Sequence, residues 1–288
     1  MKKTDIGVLI YFLAIATMPA VALTTAEIVG SNTATLPEGE ERALLPTIAD
    51  EPIAEHYSEK KIQVPIVLYH HIRPITPDMN ALAKGLSVTP EVFDRQLEYL
   101  EKNEFSTITL DQFYSALIGK ESLPEKSIVL TFDDGYKDAY TYALPLLEKH
   151  HLKGVAFVIT QAVGTSEYLT WDQIREMDKS GVFEIESHTL THPELPKLSH
   201  KKMKKELEES KKILEEKIEK PIEFFCYPYG RYSKEIADAV KEAGYKGAFT
   251  THYGTTHTLP SIFETTRVRL TNDDVGENFE KKIQFFFK

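Results

Sequence analysis

The sequence predicts an α/β fold in which a mainly parallel sheet, covered by helices, closes into a barrel. Three observations lead there. From Val64 onward short apolar runs alternate with amphipathic stretches, and repeated strand–helix units imply parallel strands joined by crossover helices. About eight candidate strands follow one another without a break, which favours a barrel over an open sheet. Finally, the polar clusters of the chain fall where those strands end, the place where barrel chemistry gathers.

Residues 64–69 read as a buried strand. Thr89 and Pro90 supply an N-cap and a first-turn proline for a helix with Phe93, Leu97 and Leu100 on one face. Residues 108–110 are a short strand candidate, and Asp111 can cap the helix after it. Residues 127–132 form a strong strand, followed by a helix to about residue 150 and a strand over 155–159. Thr170 caps a helix over 171–179 that Gly181 closes, and 183–187 is the next strand. The clearest helix spans 199–220, with Met203, Leu207, Leu214 and Ile218 inward and its Lys and Glu residues in solvent. Strands over 223–226, 246–249 and 266–270 complete the run, the first two separated by a helix over 233–243 that Gly244 stops.

Composition narrows the function classes. With 42% hydrophobic and 27% charged residues the chain can bury a substantial core. A net charge of −10 argues against nucleic acid as the ligand, because phosphate binding needs a basic surface, and it is compatible with a neutral or cationic glycan. The single cysteine, Cys226, excludes an internal disulfide and a Cys-rich zinc site. Any metal must be held by His, Asp or Glu.

Lys2 and Lys3 precede an apolar run over residues 6–23, and Ala20-Val21-Ala22 resembles a small-residue cleavage site. Residues 1–23 are therefore expected to be a signal peptide or an uncleaved membrane anchor, and the protein to work outside the cytoplasm, secreted or at the cell surface. Residues 24–60 lose the pattern and read as a flexible linker. The folded domain is expected over 61–288.

Four strand-end clusters carry chemistry. In Thr131-Phe132-Asp133-Asp134-Gly135 two adjacent carboxylates end an apolar strand, and Gly135 lets the chain turn so that both face one site. A cation beside them would relieve their repulsion; taken alone, the motif is equally an Asp-Gly turn with solvated acids. His188 and His192, four apart after the next strand, converge on one metal if the segment makes a helical turn. With a strand-end Asp they complete a three-ligand set of the open, catalytic kind. Cys226-Tyr227-Pro228-Tyr229-Gly230 is a rigid turn able to set a backbone N–H against a ligand. Leu68-Tyr69-His70-His71 ends the first strand with a group suited to proton transfer near neutral pH.

Together, from about Ile62 to the C-terminus, these clusters resemble the NodB-homology polysaccharide deacetylases, carbohydrate esterase family 4. The T-F-D-D-G run and the H-[ST]-x-x-H form at His188 carry most of the likeness. The resemblance implies a distorted (β/α) barrel of seven or eight mainly parallel strands. It also implies a divalent metal, zinc foremost with cobalt or nickel as alternatives, held by Asp134, His188 and His192. Asp133 would be the general base, and the backbone N–H of Tyr229 an oxyanion donor. Two departures stand out. Cys226 occupies the place of the family arginine that tunes the base, with Arg175 or Asp172 as candidate substitutes. The L-x-H motif of the acid histidine is absent near the C-terminus and stands at the front as Leu68-Tyr69-His70, an order similar to poly-N-acetylglucosamine deacetylases. His70 is thus the expected acid, ahead of His200 in Leu198-Ser199-His200.

The expected function is removal of N-acetyl groups from an N-acetylglucosamine-containing glycan, with poly-N-acetylglucosamine ahead of peptidoglycan or chitin oligomers. The expected partners are that glycan and, through the N-terminal segment, a membrane. A catalytically silent glycan-binding protein would account for the missing arginine. A glycoside hydrolase is disfavoured because neighbouring Asp133 and Asp134 do not form two opposed acids.

Overall fold

Seven parallel strands close into a barrel in the computed structural model, which describes residues 60–284. The expected signal or anchor at 1–23 and residues 24–59 of the expected linker lie outside the described residues. The strands are β1 (Ile66–Tyr69), β2 (Ser127–Phe132), β3 (Gly154–Val158), β4 (Phe183–Ser187), β5 (Phe224–Cys226), β6 (Gly247–Tyr253) and β7 (Thr265–Arg269). They pair in chain order, and β7 returns to β1. Ser106–Thr107 adds a short parallel strand beside the start of β2. The helices are α1 (Ala81–Gly85), α2 (Pro90–Lys102), α3 (Leu110–Leu117), α4 (Leu144–Lys149), α5 (Trp171–Lys179), α6 (His200–Ile218), α7 (Lys234–Glu242) and α8 (Glu277–Gln284).

Both faces of these strands are buried, which is why they read as continuous apolar runs. Alternation survives inside the runs. Ile66, Val129, Val155, Phe157, Phe224, Cys226 and Phe249 share one apolar cluster with Phe113 of α3. Their neighbours Val67, Ile128, Leu130, Ala156, Val158, Phe225 and Ala248 belong to a second cluster with the residues of α2, α5 and α6. The barrel is distorted at one seam. Between β4 and β5 a single residue pair, Ser187 and Phe225, keeps the ladder. There the Glu186 carboxylate accepts the backbone N–H groups of Glu223 (3.0 Å) and Phe224 (2.8 Å) in place of a strand partner.

Three sequence expectations are corrected. Residues 108–110 are not a strand: Thr109, rather than Asp111, caps α3 with its side chain on the Gln112 N–H, and Leu110 already belongs to the helix. The helix expected directly after β2 does not start there. Asp133 to Asp138 form an irregular loop, a π-helical turn spans Ala139–Ala143, and α4 follows. Pro145 at the head of α4 lacks the N–H that would continue regular bonding backwards. Lastly, His188 to His192 make no helical turn. Thr189 (φ 70°) and His192 (φ 59°) are left-handed instead.

Two predictions follow from the packing. A Cβ at Gly154 would sit 2.8 Å from the Phe132 ring and 2.9 Å from the Phe183 ring. Gly154→Ala should therefore cost about 1–3 kcal/mol by overpacking, read as a lower urea midpoint at unchanged m-value. The second concerns Glu184, whose carboxyl accepts the Leu110 N–H at 2.9 Å. Burial, with help from Asp111, pushes its pKa up to about 7. A raised carboxyl stabilises the fold below its unfolded pKa and loses that contribution as pH rises through the folded value. Glu184→Gln should thus gain on the parent between about pH 4.5 and 7, by no more than about 3 kcal/mol. Equal urea midpoint differences at pH 5 and pH 8 would refute this.

Candidate active site

The sequence clusters meet at the C-terminal mouth of the barrel, around a cavity of about 740 Å³. His70, Asp133, Asp134, His188, His192 and Tyr229 all line it. Asp134 and Gly135 leave β2 in left-handed conformations (φ 75° and 78°), so the chain turns immediately after Asp133. Alternation along a strand would send adjacent aspartates to opposite faces; the turn brings both to the cavity.

The Nε2 atoms of His188 and His192 lie 3.2 and 3.4 Å from Asp134 Oδ1. That oxygen is buried without a hydrogen-bond partner. His188 Nδ1 lies 2.8 Å from the Cys226 carbonyl oxygen, which can only accept, so Nδ1 carries a proton and Nε2 is the nitrogen turned to Asp134. Burial acts to lower the His188 pKa, but Cys226, Asp134 and Asp133 outweigh it and hold it well above its ordinary value, so a cation at Nε2 would take the place of a proton. Burial and the neighbouring His188 push the His192 imidazole down to about 4, so it is neutral at physiological pH. Burial acts to raise the Asp134 carboxyl, but His188, His70 and His192 outweigh it and hold it below the usual carboxylate range. An ionised carboxylate, two imidazoles and an orphaned buried oxygen, with donor atoms within 4.8 Å of one another, form a set able to hold a metal ion.

Asp133 is engaged differently. Arg267 of β7 donates from Nη1 to Oδ1 and from Nη2 to Oδ2, both at 2.7 Å. The guanidinium is 1% exposed and is fully bonded: Nε donates to the Thr250 carbonyl (2.8 Å), Nη1 also to Thr131 Oγ1 (2.9 Å), and Nη2 also to Cys226 Sγ (3.1 Å). Burial would raise the Asp133 carboxyl, yet Arg267 holds it below its ordinary value. Asp133, His188 and Cys226 also cluster closely enough for a cation, but the guanidinium already fills that role. Burial pushes the Cys226 thiol up, which keeps it neutral.

Arg267 corrects the sequence reading of the missing arginine. Asp172 and Arg175 pair with each other on the exposed side of α5 and do not line the cavity. The only signal for Arg267 was a cation inside a strand candidate, flanked by Val268. His70 lines the cavity, whereas His71 turns away: its Nδ1 meets Asp138 Oδ2 at 2.6 Å and its ring stacks on Tyr136 at 3.6 Å. Burial lowers the pKa of His70, and Asp133 and Asp134 act against it. His200 is exposed at the start of α6 and does not line the cavity.

Tyr229 lies in the turn Pro228–Gly230 with a left-handed backbone (φ 59°) and its ring against that of His192, centroids 4.7 Å apart. Gly230 is required beside it, because a Cβ there would come within 2.7 Å of the Thr251 backbone nitrogen.

This arrangement has relatives among known proteins. The polysaccharide deacetylase family profile matches residues 120–248. YxkH of Bacillus subtilis (strain 168), provisionally named a polysaccharide deacetylase, is 31% identical over 235 residues, which is 82% of this chain and 81% of its own. The poly-beta-1,6-N-acetyl-D-glucosamine N-deacetylase of Staphylococcus aureus (strain MRSA252) is 29% identical over 217 residues, 70% of this chain and 74% of that one. The structure of the Streptococcus pyogenes deacetylase PplD in complex with acetate superposes with a TM-score of 0.73 at 29% identity, covering 78% of this chain and 99% of that one. Sequence, fold and strand-end chemistry agree: the chain belongs to the polysaccharide deacetylase family, hydrolases of a linear amide.

Proposed function

We propose that the protein removes N-acetyl groups from an N-acetylglucosamine-containing polysaccharide outside the cytoplasm, using zinc, with poly-N-acetylglucosamine as the substrate. The observation that carries the metal reading is the buried, unpartnered Asp134 Oδ1 between the imidazoles of His188 and His192. Two nitrogens and one carboxylate oxygen suit zinc, with cobalt and nickel as functional substitutes. The glycan reading draws on the Staphylococcus aureus relative and on the forward position of Leu68-Tyr69-His70. Export draws on Lys2, Lys3 and the apolar run over 6–23.

A cation held by Asp134, His188 and His192 would polarise the amide carbonyl and acidify the attacking water. Asp133, kept ionised by Arg267, takes the proton of that water. The Tyr229 backbone N–H donates to the oxyanion that develops on the carbonyl oxygen. His70 passes a proton to the amine nitrogen, which leaves poorly without one. Acetate and a free amine result. The catalytically silent alternative rested on the absent family arginine, and Arg267 now supplies a guanidinium on the same base.

Purified protein with added zinc should release acetate from N-acetylglucosamine oligomers, detected by mass spectrometry as loss of acetyl without chain shortening. Asp133→Asn should lower kcat by roughly 10²–10⁴-fold while zinc content stays that of the parent; full activity in that variant would refute the base assignment. Chelation should abolish turnover and zinc restore it, and activity unchanged by exhaustive chelation would remove the metal from the reaction.

A further inference from the structure

The loop that carries both candidate metal-ligating histidines is held in a conformation its own sequence disfavours. Thr189 is β-branched, fully buried and left-handed, and His192 is left-handed three residues on. Such backbone costs of order 1–3 kcal/mol per residue and persists only where surrounding bonds over-determine it. Two of those bonds are local or to the neighbouring loop: Thr189 Oγ1 accepts the His192 N–H at 2.9 Å, and the Thr189 carbonyl accepts the Thr160 N–H at 3.2 Å.

The neighbouring loop adds the Gln161 N–H, which donates to the Leu190 carbonyl at 2.9 Å, and Thr160 Oγ1, which donates to the Thr189 carbonyl at 3.5 Å; α6 adds a further set, chiefly from one side chain. Glu206 Oε2 accepts the backbone N–H groups of Leu190 (3.1 Å) and Thr191 (2.8 Å), while Oε1 accepts the Thr191 hydroxyl at 2.8 Å. Glu206 is 9% exposed and sits beside Met203, Leu207 and Leu214 on the buried face of α6. An acid on that stripe costs desolvation that a simple packing residue would avoid. One turn further along, Ser210 Oγ bonds Ser187 Oγ at 2.9 Å, directly before His188. The helix therefore grips the segment on both sides of the first histidine.

We infer that Glu206 is the positioning residue of the metal loop: its carboxylate fixes the backbone between His188 and His192 so that both imidazoles meet Asp134. Outer groups that orient ligands in this way typically set metal affinity by 10–100-fold. The inference rests on the metal reading given above and concerns affinity rather than turnover.

The test is zinc binding by competition with a chromophoric chelator, with unfolding of the metal-free protein measured alongside. Glu206→Ala and Glu206→Asp, which remove or shorten the acceptor, should each weaken zinc binding about 10–100-fold. Glu206→Gln should stay within about threefold of the parent, because its amide oxygen still accepts both N–H groups and its NH₂ can donate to the Thr191 hydroxyl. If Glu206→Ala does not fold, the charge-conserving Glu206→Asp decides. Parental zinc affinity in a folded Glu206→Ala or Glu206→Asp overturns the inference, even if metal-free stability falls, since that pattern is packing alone. Glu206→Gln binding as weakly as Glu206→Ala also overturns it, because charge and not hydrogen bonding would then be the cause. A parent chain that takes up no zinc instead refutes the metal reading itself.

Discussion

The structure turns on an ion pair closed inside the barrel, Arg267 against Asp133. Neither side chain has water to solvate it, with exposures of 1% and 3%. Desolvating two charges is expensive, and the cost is offset only when geometry is good and the remaining donors are filled. Both conditions hold. The contact is bidentate, and the other guanidinium donors reach Thr250, Thr131 and Cys226. The pair joins β2 to β7 across the interior and, through Cys226, touches β5. Around that core the barrel can be closed and yet end in a charged mouth.

The same pair separates the two adjacent aspartates. Asp133 is bound to a guanidinium and Asp134 lies against two imidazoles, so two adjacent residues of one type acquire different surroundings. Arg267 keeps Asp133 ionised and lowers its affinity for a proton. In the proposed reaction a base of lowered pKa would need an attacking water of lowered pKa as well, which a Lewis acid held beside it would provide. The two halves of the site are complementary in that proposal: one strand end supplies a carboxylate held ionised by Arg267, and the neighbouring loop supplies two imidazoles able to hold a cation beside it.

Backbone strain is concentrated at the same mouth. Asp134, Thr189, His192 and Tyr229 are all left-handed without being glycine, and each lines the cavity or adjoins a residue that does. Strain of this kind is sustained by surrounding hydrogen bonds. Here bonds come from α6 through Glu206 and Ser210, from the Thr160 and Gln161 N–H groups, which donate to the Thr189 and Leu190 carbonyls, and from Thr251 Oγ1, which donates to the Tyr229 carbonyl at 3.5 Å. The barrel and its helices thus serve as a frame that keeps loops in conformations they would not hold alone.

The order of strands and helices was legible in the sequence because it depends on local regularities. Thr89-Pro90, Thr170 and Ser233 begin helices where their side chains can accept N–H groups, and Gly181 and Gly244 end them. Asp133, Asp134, His188, His192, His70 and Tyr229 were legible too, since each stands at a strand end within a compact motif. Arg267 and Glu206 were not. Arg267 lies 134 residues from the aspartate it pairs, in a strand whose partner is set only by barrel closure. Glu206 sits among the many Lys and Glu residues of α6 and resembles any solvated acid until the helix docks on the loop that carries His188 and His192. Local propensity and motif chemistry are written along the chain. Which distant charge neutralises a buried one, and which side chain holds a strained loop, are decided when strands and helices from opposite ends of the sequence pack together.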